Sequence, residues 1–125
     1  MLRTYARVAG IVLFVLGAGG LVGIWDVTPV GRIAYMDDVL YLFTAAIFLY
    51  VGFARTSPEE IRYVAGGMGL LYLLSSGLLA AALLFFGLYS GAYELAYALI
   101  HAAFGILSIL AAGFLDREDR SSARS

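Results

Sequence analysis

The 125-residue chain contains no cysteine, lysine, asparagine or glutamine. Without cysteine it has no disulfide, no thiolate metal site and no cysteine nucleophile. Without asparagine it has no N-glycosylation site. Its eight positive side chains are therefore all arginine, and the net charge of −1 comes with no basic run of the kind that binds nucleic acid.

Charge is scarce: 14% of the residues are charged, whereas 62% are hydrophobic. Soluble domains are about 45–50% apolar and about 25% charged, so the polar residues here are too few to cover an apolar core. Four apolar stretches each come close to the roughly 20 residues that cross a bilayer as a helix. They occupy about 5–25, 35–54, 61–86 and 94–115. Because backbone groups in lipid must pair within their own segment, the stretches predict four transmembrane helices.

The arginines lie almost entirely on one side of these predicted helices. Only Arg32 falls in an outer connector, and the other seven are Arg3, Arg7, Arg55, Arg62, Arg117, Arg120 and Arg124. The positive-inside rule then places both termini on the cytoplasmic side. We expect an all-α, integral membrane four-helix bundle over residues 1–115, followed by a disordered cytoplasmic tail at 116–125.

The connector before the third predicted helix carries a helix-start signal. Ser57 suits the N-cap position, Pro58 the first helical position, and Glu59 and Glu60 the positive end of the helix dipole.

The chain also resembles a tandem repeat. Arg7-Val8-Ala9-Gly10 is similar to Tyr63-Val64-Ala65-Gly66, and Val51-Gly52-Phe53 is similar to Ala112-Gly113-Phe114. These echoes predict two helical hairpins arranged as parallel repeats about an axis along the membrane normal. In that register, Leu40 is the counterpart of His101.

Polar residues recur on one face of the fourth predicted helix, and a second polar stripe marks the second helix. Polar groups facing hydrocarbon are costly, so both stripes should turn inward. They predict a candidate pocket that opens outward, with His101 about 10 Å below Glu94. The residues assigned to this pocket are His101, Glu94, Tyr97, Asp37, Tyr41 and Thr44.

Three interpretations of His101 remain open. It could respond to protons or bind a ligand below an acidic mouth. It could be a neutral core residue bonded to a Thr, Ser or backbone group of a neighbouring helix. A bis-His haem site would need two copies of the chain. The separation of His101 from Glu94 along one helix disfavours a metal site, so no metal and no cofactor is predicted. Asp37 and Asp38 could attract cations, or could mark the start of the second helix.

Glycines are concentrated in the first and third predicted helices. Small residues let helix backbones approach closely in lipid. In each of the two helices the small residues fall near one face. This pattern predicts that the two helices pack together, or that one of them binds a second copy or a partner membrane protein. The residues concerned are Gly10, Gly17 and Gly20, and then Gly66, Gly69 and Ser76.

Three segments resemble the uncharacterised bacterial four-helix membrane proteins grouped as domain of unknown function 4383. They are Tyr5-Ala6-Arg7-Val8-Ala9-Gly10-Ile11-Val12-Leu13, Arg62-Tyr63-Val64-Ala65-Gly66-Gly67 and His101-Ala102-Ala103-Phe104-Gly105-Ile106-Leu107. The second helix departs from that family's His and Gly pattern, with Leu40 and Thr44 at the corresponding positions. By size and topology the chain is also similar to DoxX-like proteins. The resemblance implies a bacterial cytoplasmic membrane location but no activity.

No phosphate loop, nucleophile elbow or HExxH motif occurs in the sequence. We therefore expect a non-enzymatic small integral membrane protein with a structural or partner-binding role. The alternative is a small transporter or ligand-binding protein that uses the outward-facing pocket between the second and fourth helices.

Overall fold

The computed structural model describes residues 1–23, 34–54, 56–85, 92–115 and 121, with side chains described except at 34–37, 79, 82–84 and 92–97. Within these residues the chain is all-helical, with four α-helices and no strand. The helices are α1 (Leu2–Leu21), α2 (Ala34–Phe53), α3 (Pro58–Phe85) and α4 (Ala92–Leu110), and α4 continues into a π-helical turn at Ala111–Leu115. The prediction of an all-helical chain with four helices is confirmed for the described part. The predicted disordered tail lies outside it, except for Ser121.

The chain divides into two compact units, Met1–Val64 and Ala65–Ser125. The first unit contains α1, α2 and the first turns of α3. The second contains the rest of α3 and all of α4. Each unit is built on an antiparallel pair of helices, α1 with α2 in the first and α3 with α4 in the second.

In the first unit, the contacts between α1 and α2 run in opposite directions along the two helices. A Cβ atom built on Gly10 would lie 2.8 Å from Leu49 Cγ, and one built on Gly17 would lie 2.8 Å from Leu42 Cγ. Moving forward along α1 therefore moves backward along α2. Tyr5 and Phe48 add an edge-to-face ring contact at 6.2 Å between centroids.

A glycine ends α1. Gly23 has φ of 73°, in the left-handed region that L side chains rarely adopt. Its amide donates to the carbonyl of Gly20, and the amide of Val22 donates to Ala18. Helices commonly end on a glycine in this conformation. The helix consequently stops at Leu21, four residues before the end of the predicted apolar stretch.

A capping box starts α3. The Ser57 amide donates to Glu60 Oε2 at 2.7 Å, and the Glu60 amide donates to Ser57 Oγ at 3.2 Å. Two amides that the helix leaves unpaired are thus satisfied by the two side chains. Pro58 is the first helical residue, where its missing N–H costs nothing. The helix start predicted from the sequence is confirmed.

In the second unit, α3 and α4 approach so closely that their backbones meet. A Cβ atom built on Gly69 would lie 2.8 Å from the Gly105 carbonyl oxygen, and one built on Gly105 would lie 2.8 Å from the Gly69 carbonyl oxygen. Towards the start of α3, the corresponding position on Gly66 lies 3.7 Å from Ala112 Cβ. These helices are also antiparallel.

Large apolar side chains are exposed along every helix. Among the described residues they include Val8, Ile11, Val12, Phe14 and Val15 of α1, Phe43 and Tyr50 of α2, Leu70, Leu74 and Leu78 of α3, and Leu99, Ile100, Ile106 and Leu107 of α4. By length and composition, two described helical segments could cross a membrane, Leu2–Leu21 and Ala98–Leu115. The described apolar stretch Asp38–Phe53 is shorter.

Candidate functional site

His101 is buried against α3. It is 4% exposed, and its ring meets the ring of Tyr72 edge-to-face, with centroids 5.2 Å apart and planes at 85°. Tyr72 is fully buried and makes a second ring contact with Phe104, at 4.8 Å between centroids. The three rings form an aromatic cluster inside the second unit. We call it the Tyr72 cluster.

The face of α4 that carries His101 is the buried one. Ala98, His101, Gly105 and Ser108 are all buried in the described part of this helix. Their spacing of three and four residues is that of a single helical face. Ser108 is fully buried and lies beside Gly69, since a Cβ atom on that glycine would be 2.9 Å from Ser108 Cβ. The predicted polar face of the fourth helix therefore packs on α3 as far as it is described.

The α2 residues assigned to the pocket are buried in the first unit. Tyr41 and Thr44 are buried, as is Phe48 one turn further on. The Thr44 hydroxyl donates to the carbonyl of Leu40 at 2.8 Å, a bond within its own helix. The side chains of Asp37, Glu94 and Tyr97 lie outside the described residues. Because Tyr41 and Thr44 belong to one unit and His101 to the other, the pocket stays a prediction.

Asp38 had two interpretations in the sequence, a residue that attracts cations or one that marks the start of a helix. Since α2 begins at Ala34, Asp38 lies beyond the first helical turn. It is buried, and its carboxylate lies over Gly20 so closely that no Cβ atom would fit there. The Asp38 carbonyl oxygen similarly lies 2.7 Å from a Cβ atom built on Gly17. Both glycines therefore make room for α2.

The described glycines of the predicted α1 and α3 stripes lie against the other helix of their own hairpin. Gly10, Gly17 and Gly20 lie against α2, and Gly69 lies against α4. Each glycine stripe packs within its own hairpin. A stripe of small residues shows which face of a helix is approached closely, but it carries no information on which helix approaches.

Two arginines hold the end of α2, a role that the sequence did not reveal. Arg3 donates from Nη1 to the carbonyl of Ala54 and from Nη2 to that of Thr56, both at 2.6 Å. Arg7 donates from Nε to the carbonyl of Gly52 at 2.8 Å. The last carbonyls of a helix have no partner within it, and positive charge is favourable there. These arginines join the start of α1 to the end of α2.

Tyr72 was also missed, although a signal was present. It follows Gly69 by three residues and precedes Ser76 by four, so all three share one face of α3. Gly69 and Ser76 were assigned to a packing face, and extending the same periodicity would have included Tyr72. All three residues are buried.

Comparison with known proteins gives no relative: no family model, no curated protein and no solved structure matches the chain. The resemblance to domain of unknown function 4383 therefore stays a prediction. The described residues also contain no group of three His, Asp or Glu side chains that could hold a metal ion.

Proposed function

We propose that this protein is a non-enzymatic integral membrane protein whose two helical hairpins span the bilayer. The observation that carries the proposal is the exposure of large apolar side chains along all four helices, such as Leu78 at 73% and Phe53 at 62%. Soluble monomers rarely expose contiguous apolar surface on this scale, whereas a lipid-facing surface is built from such residues.

The proposed orientation places both termini and the connector between the hairpins in the cytoplasm of a bacterium. Three described arginines support it. Arg3 and Arg7 bind the C-terminal end of α2, and Arg62 lies in the first turns of α3, just after that end. Positive charge is thus gathered where α1 begins, α2 ends and α3 begins. Arginine enrichment of this kind marks the cytoplasmic side of membrane proteins.

We further propose that the hairpins are tandem repeats, in a register that differs from the one suggested by the sequence echoes. Gly10 faces Leu49 as Gly69 faces Ile109, and Arg7 faces Gly52 as Gly66 faces Ala112. The difference in residue number between a position in the first hairpin and its counterpart in the second is nearly the same for all four residues. In this register the counterpart of His101 is Tyr41 rather than Leu40, and both are buried.

A structural or partner-binding role is the function that this arrangement supports best. The buried faces are filled by packing between glycines, aromatic rings and short polar side chains. The glycine stripes predicted to bind a partner are already covered by α2 and α4 within the chain. Association would then use an outer face, and α3 offers one: no described atom lies within 4 Å of a Cβ atom built on Gly67 or Gly77.

Site-specific photo-cross-linking in native membranes tests the partner-binding role. A photoreactive residue at Leu78, 73% exposed on α3, is expected to give a protein adduct larger than the 13.4 kDa monomer. The matched control is Tyr72 on the same helix, which is fully buried and should give no adduct with another chain. If Leu78 and other exposed positions such as Leu74 and Phe43 yield lipid adducts alone, the role is wrong.

The membrane assignment is tested separately by washing membranes with alkaline carbonate. An integral protein stays in the pellet because its helices are embedded in lipid, whereas a peripheral protein is released. Release of most of the chain would contradict the assignment.

The transporter or ligand-binding alternative stays a prediction. Within the second unit, His101 lies against Tyr72, so any ligand that reaches its ring must displace or approach the Tyr72 cluster. The resemblance to domain of unknown function 4383 is compatible with either role, because that family implies a location and no activity.

A further inference from the structure

Arg3 and Arg7 carry positive charges that no described carboxylate neutralises. Their hydrogen bonds go to the carbonyls of Ala54, Thr56 and Gly52, which accept a proton but hold no net charge. Arg62 follows the end of α2 closely in the sequence. By contrast, its Nη2 atom lies 3.9 Å from the carboxylate Oε1 atom of Glu59. The described arginines of the first unit thus fall into two kinds: Arg62 is paired with a carboxylate, and Arg3 and Arg7 are held by backbone carbonyls.

The backbone bonds fix both guanidinium groups without using all of their donors. A guanidinium has five N–H donors, of which Arg3 spends two and Arg7 one on the described carbonyls. The two residues are four apart on α1, so they share a face and differ by about 6 Å in height. A preformed pair of cationic groups therefore remains for an anionic ligand.

An exposed ring lies beside the deeper arginine. The Arg7 Cζ atom is 4.8 Å from the centroid of Phe53, whose side chain is 62% exposed. Tyr50, one turn earlier on α2, is exposed as well. The cationic pair thus borders an apolar surface, as a binding site for a molecule with a charged head and an apolar chain would.

We propose that Arg3 and Arg7 bind the phosphate of an anionic phospholipid, with its acyl chains along Phe53 and Tyr50. Guanidinium groups match phosphate oxygens in a forked, two-bond geometry and keep their charge at any physiological pH. Free phosphate offers the same oxygens, but it would leave the apolar border of the site unused. This inference rests on the proposed membrane location, in the leaflet where α1 begins.

Lipid-dependent thermal stability of the full-length protein in non-ionic detergent tests the inference. Wild type and variants are titrated with phosphatidylglycerol, with phosphatidylcholine and with inorganic phosphate, and the unfolding midpoint is followed. We expect phosphatidylglycerol to stabilise the wild type and the other two to have little effect. Arg7→Gln should weaken the apparent affinity for phosphatidylglycerol about fivefold, the effect of removing one cationic residue near an anionic surface.

Arg62→Gln is the matched control, since it removes the same charge from a residue that follows the end of α2 closely in the sequence but is paired with Glu59. It should stay within about twofold of the wild type. Phe53→Leu retains both arginines and their carbonyl bonds but removes the ring beside Arg7, and we expect about a twofold weakening. Phe53→Leu thus provides a second test if Arg7→Gln does not fold.

Three results would overturn the lipid site. They are an equal loss in Arg62→Gln and Arg7→Gln, an equal response to inorganic phosphate and phosphatidylglycerol, or no preference for phosphatidylglycerol over phosphatidylcholine. A protein that resists the carbonate wash yet shows any of these remains a membrane protein without this site. A protein released by the wash contradicts the proposed function instead.

Discussion

In the first unit, Gly10 of α1 lies mainly against the side chain of Leu49, whereas in the second unit Gly69 of α3 and Gly105 of α4 lie against each other's backbone carbonyls. Beside the second contact, Tyr72 and His101 fill the interface with two rings. Beside the first, the ends of the helices are joined by Arg3 and Arg7. Gly10 thus meets mainly a side chain, whereas Gly69 and Gly105 meet backbone carbonyls, as Gly17 of the first unit also does at Asp38.

The difference matters because a side chain can move and a backbone carbonyl in a helix cannot move without bending the helix. A Leu can change rotamer to accommodate a new methyl group at a modest cost. Gly105 should therefore tolerate substitution less well than Gly10.

Of the substitutions considered, Gly105→Ala is expected to lower the free energy of unfolding the most. Its Cβ atom would lie 2.8 Å from the Gly69 carbonyl oxygen and 2.9 Å from the Leu73 amide nitrogen, so α3 and α4 must separate. We expect a loss of about 3 kcal/mol in the free energy of unfolding, measured by denaturant titration in detergent. Gly77→Ala is the control, because nothing described lies within 4 Å of its Cβ position. It should be neutral or stabilising by up to about 1 kcal/mol. Equal effects of the two substitutions would show that α3 and α4 do not meet at Gly105.

His101→Ala is expected to cost about 2 kcal/mol, since it removes a buried ring from the Tyr72 cluster and leaves a cavity. His101→Phe keeps a ring next to Tyr72 and should recover part of that loss. Both variants are compared with the wild type in the same unfolding assay. If His101→Ala leaves stability unchanged, the second hairpin does not depend on the cluster. The comparison between the hairpins would then reduce to the glycine contacts.

Gly10→Ala should have the smallest effect of the three, about 1 kcal/mol. Its Cβ atom would lie 2.8 and 2.9 Å from Leu49 side-chain atoms, which can rotate away, and 3.0 Å from the Leu49 amide nitrogen, which cannot. The ratio between this loss and that of Gly105→Ala measures how much more easily a side chain than a backbone carbonyl accommodates a methyl group. If Gly10→Ala is more damaging than Gly105→Ala, then Gly10 rather than Gly105 lies against rigid backbone, and the described contacts are wrong.

Local features were predicted well from the sequence. Four long apolar stretches are enough to predict four helices, because helix length and hydrophobicity are properties of a single segment. The start of α3 was equally accessible, because Ser57 and Glu60 satisfy each other's backbone amides across three residues.

Contacts between segments were harder to predict. The glycine stripes indicated close approach but not that α2 approaches α1 and α4 approaches α3. The tandem repeat stays a prediction, and the register that we propose for it pairs Gly10 with Gly69 rather than with Gly66. Arg3 and Arg7 served only as orientation signals, since nothing in their spacing indicates the carbonyls of Gly52 and Ala54. Partners distant in the chain become visible only when the helices are paired.

Thiol labelling from outside intact cells tests most directly whether two hairpins span the membrane. The chain has no cysteine of its own, so any label on it reports the introduced thiol. Single variants Thr28→Cys, Glu59→Cys and Ser90→Cys place one thiol between the first two predicted apolar stretches, one in the first turn of α3 and one between the last two stretches. A membrane-impermeant maleimide is predicted to label Thr28→Cys and Ser90→Cys in intact cells, and Glu59→Cys only after the membrane is opened. Labelling of Glu59→Cys in intact cells, or of none of the three before lysis, would contradict two hairpins that span the membrane from the cytoplasmic side.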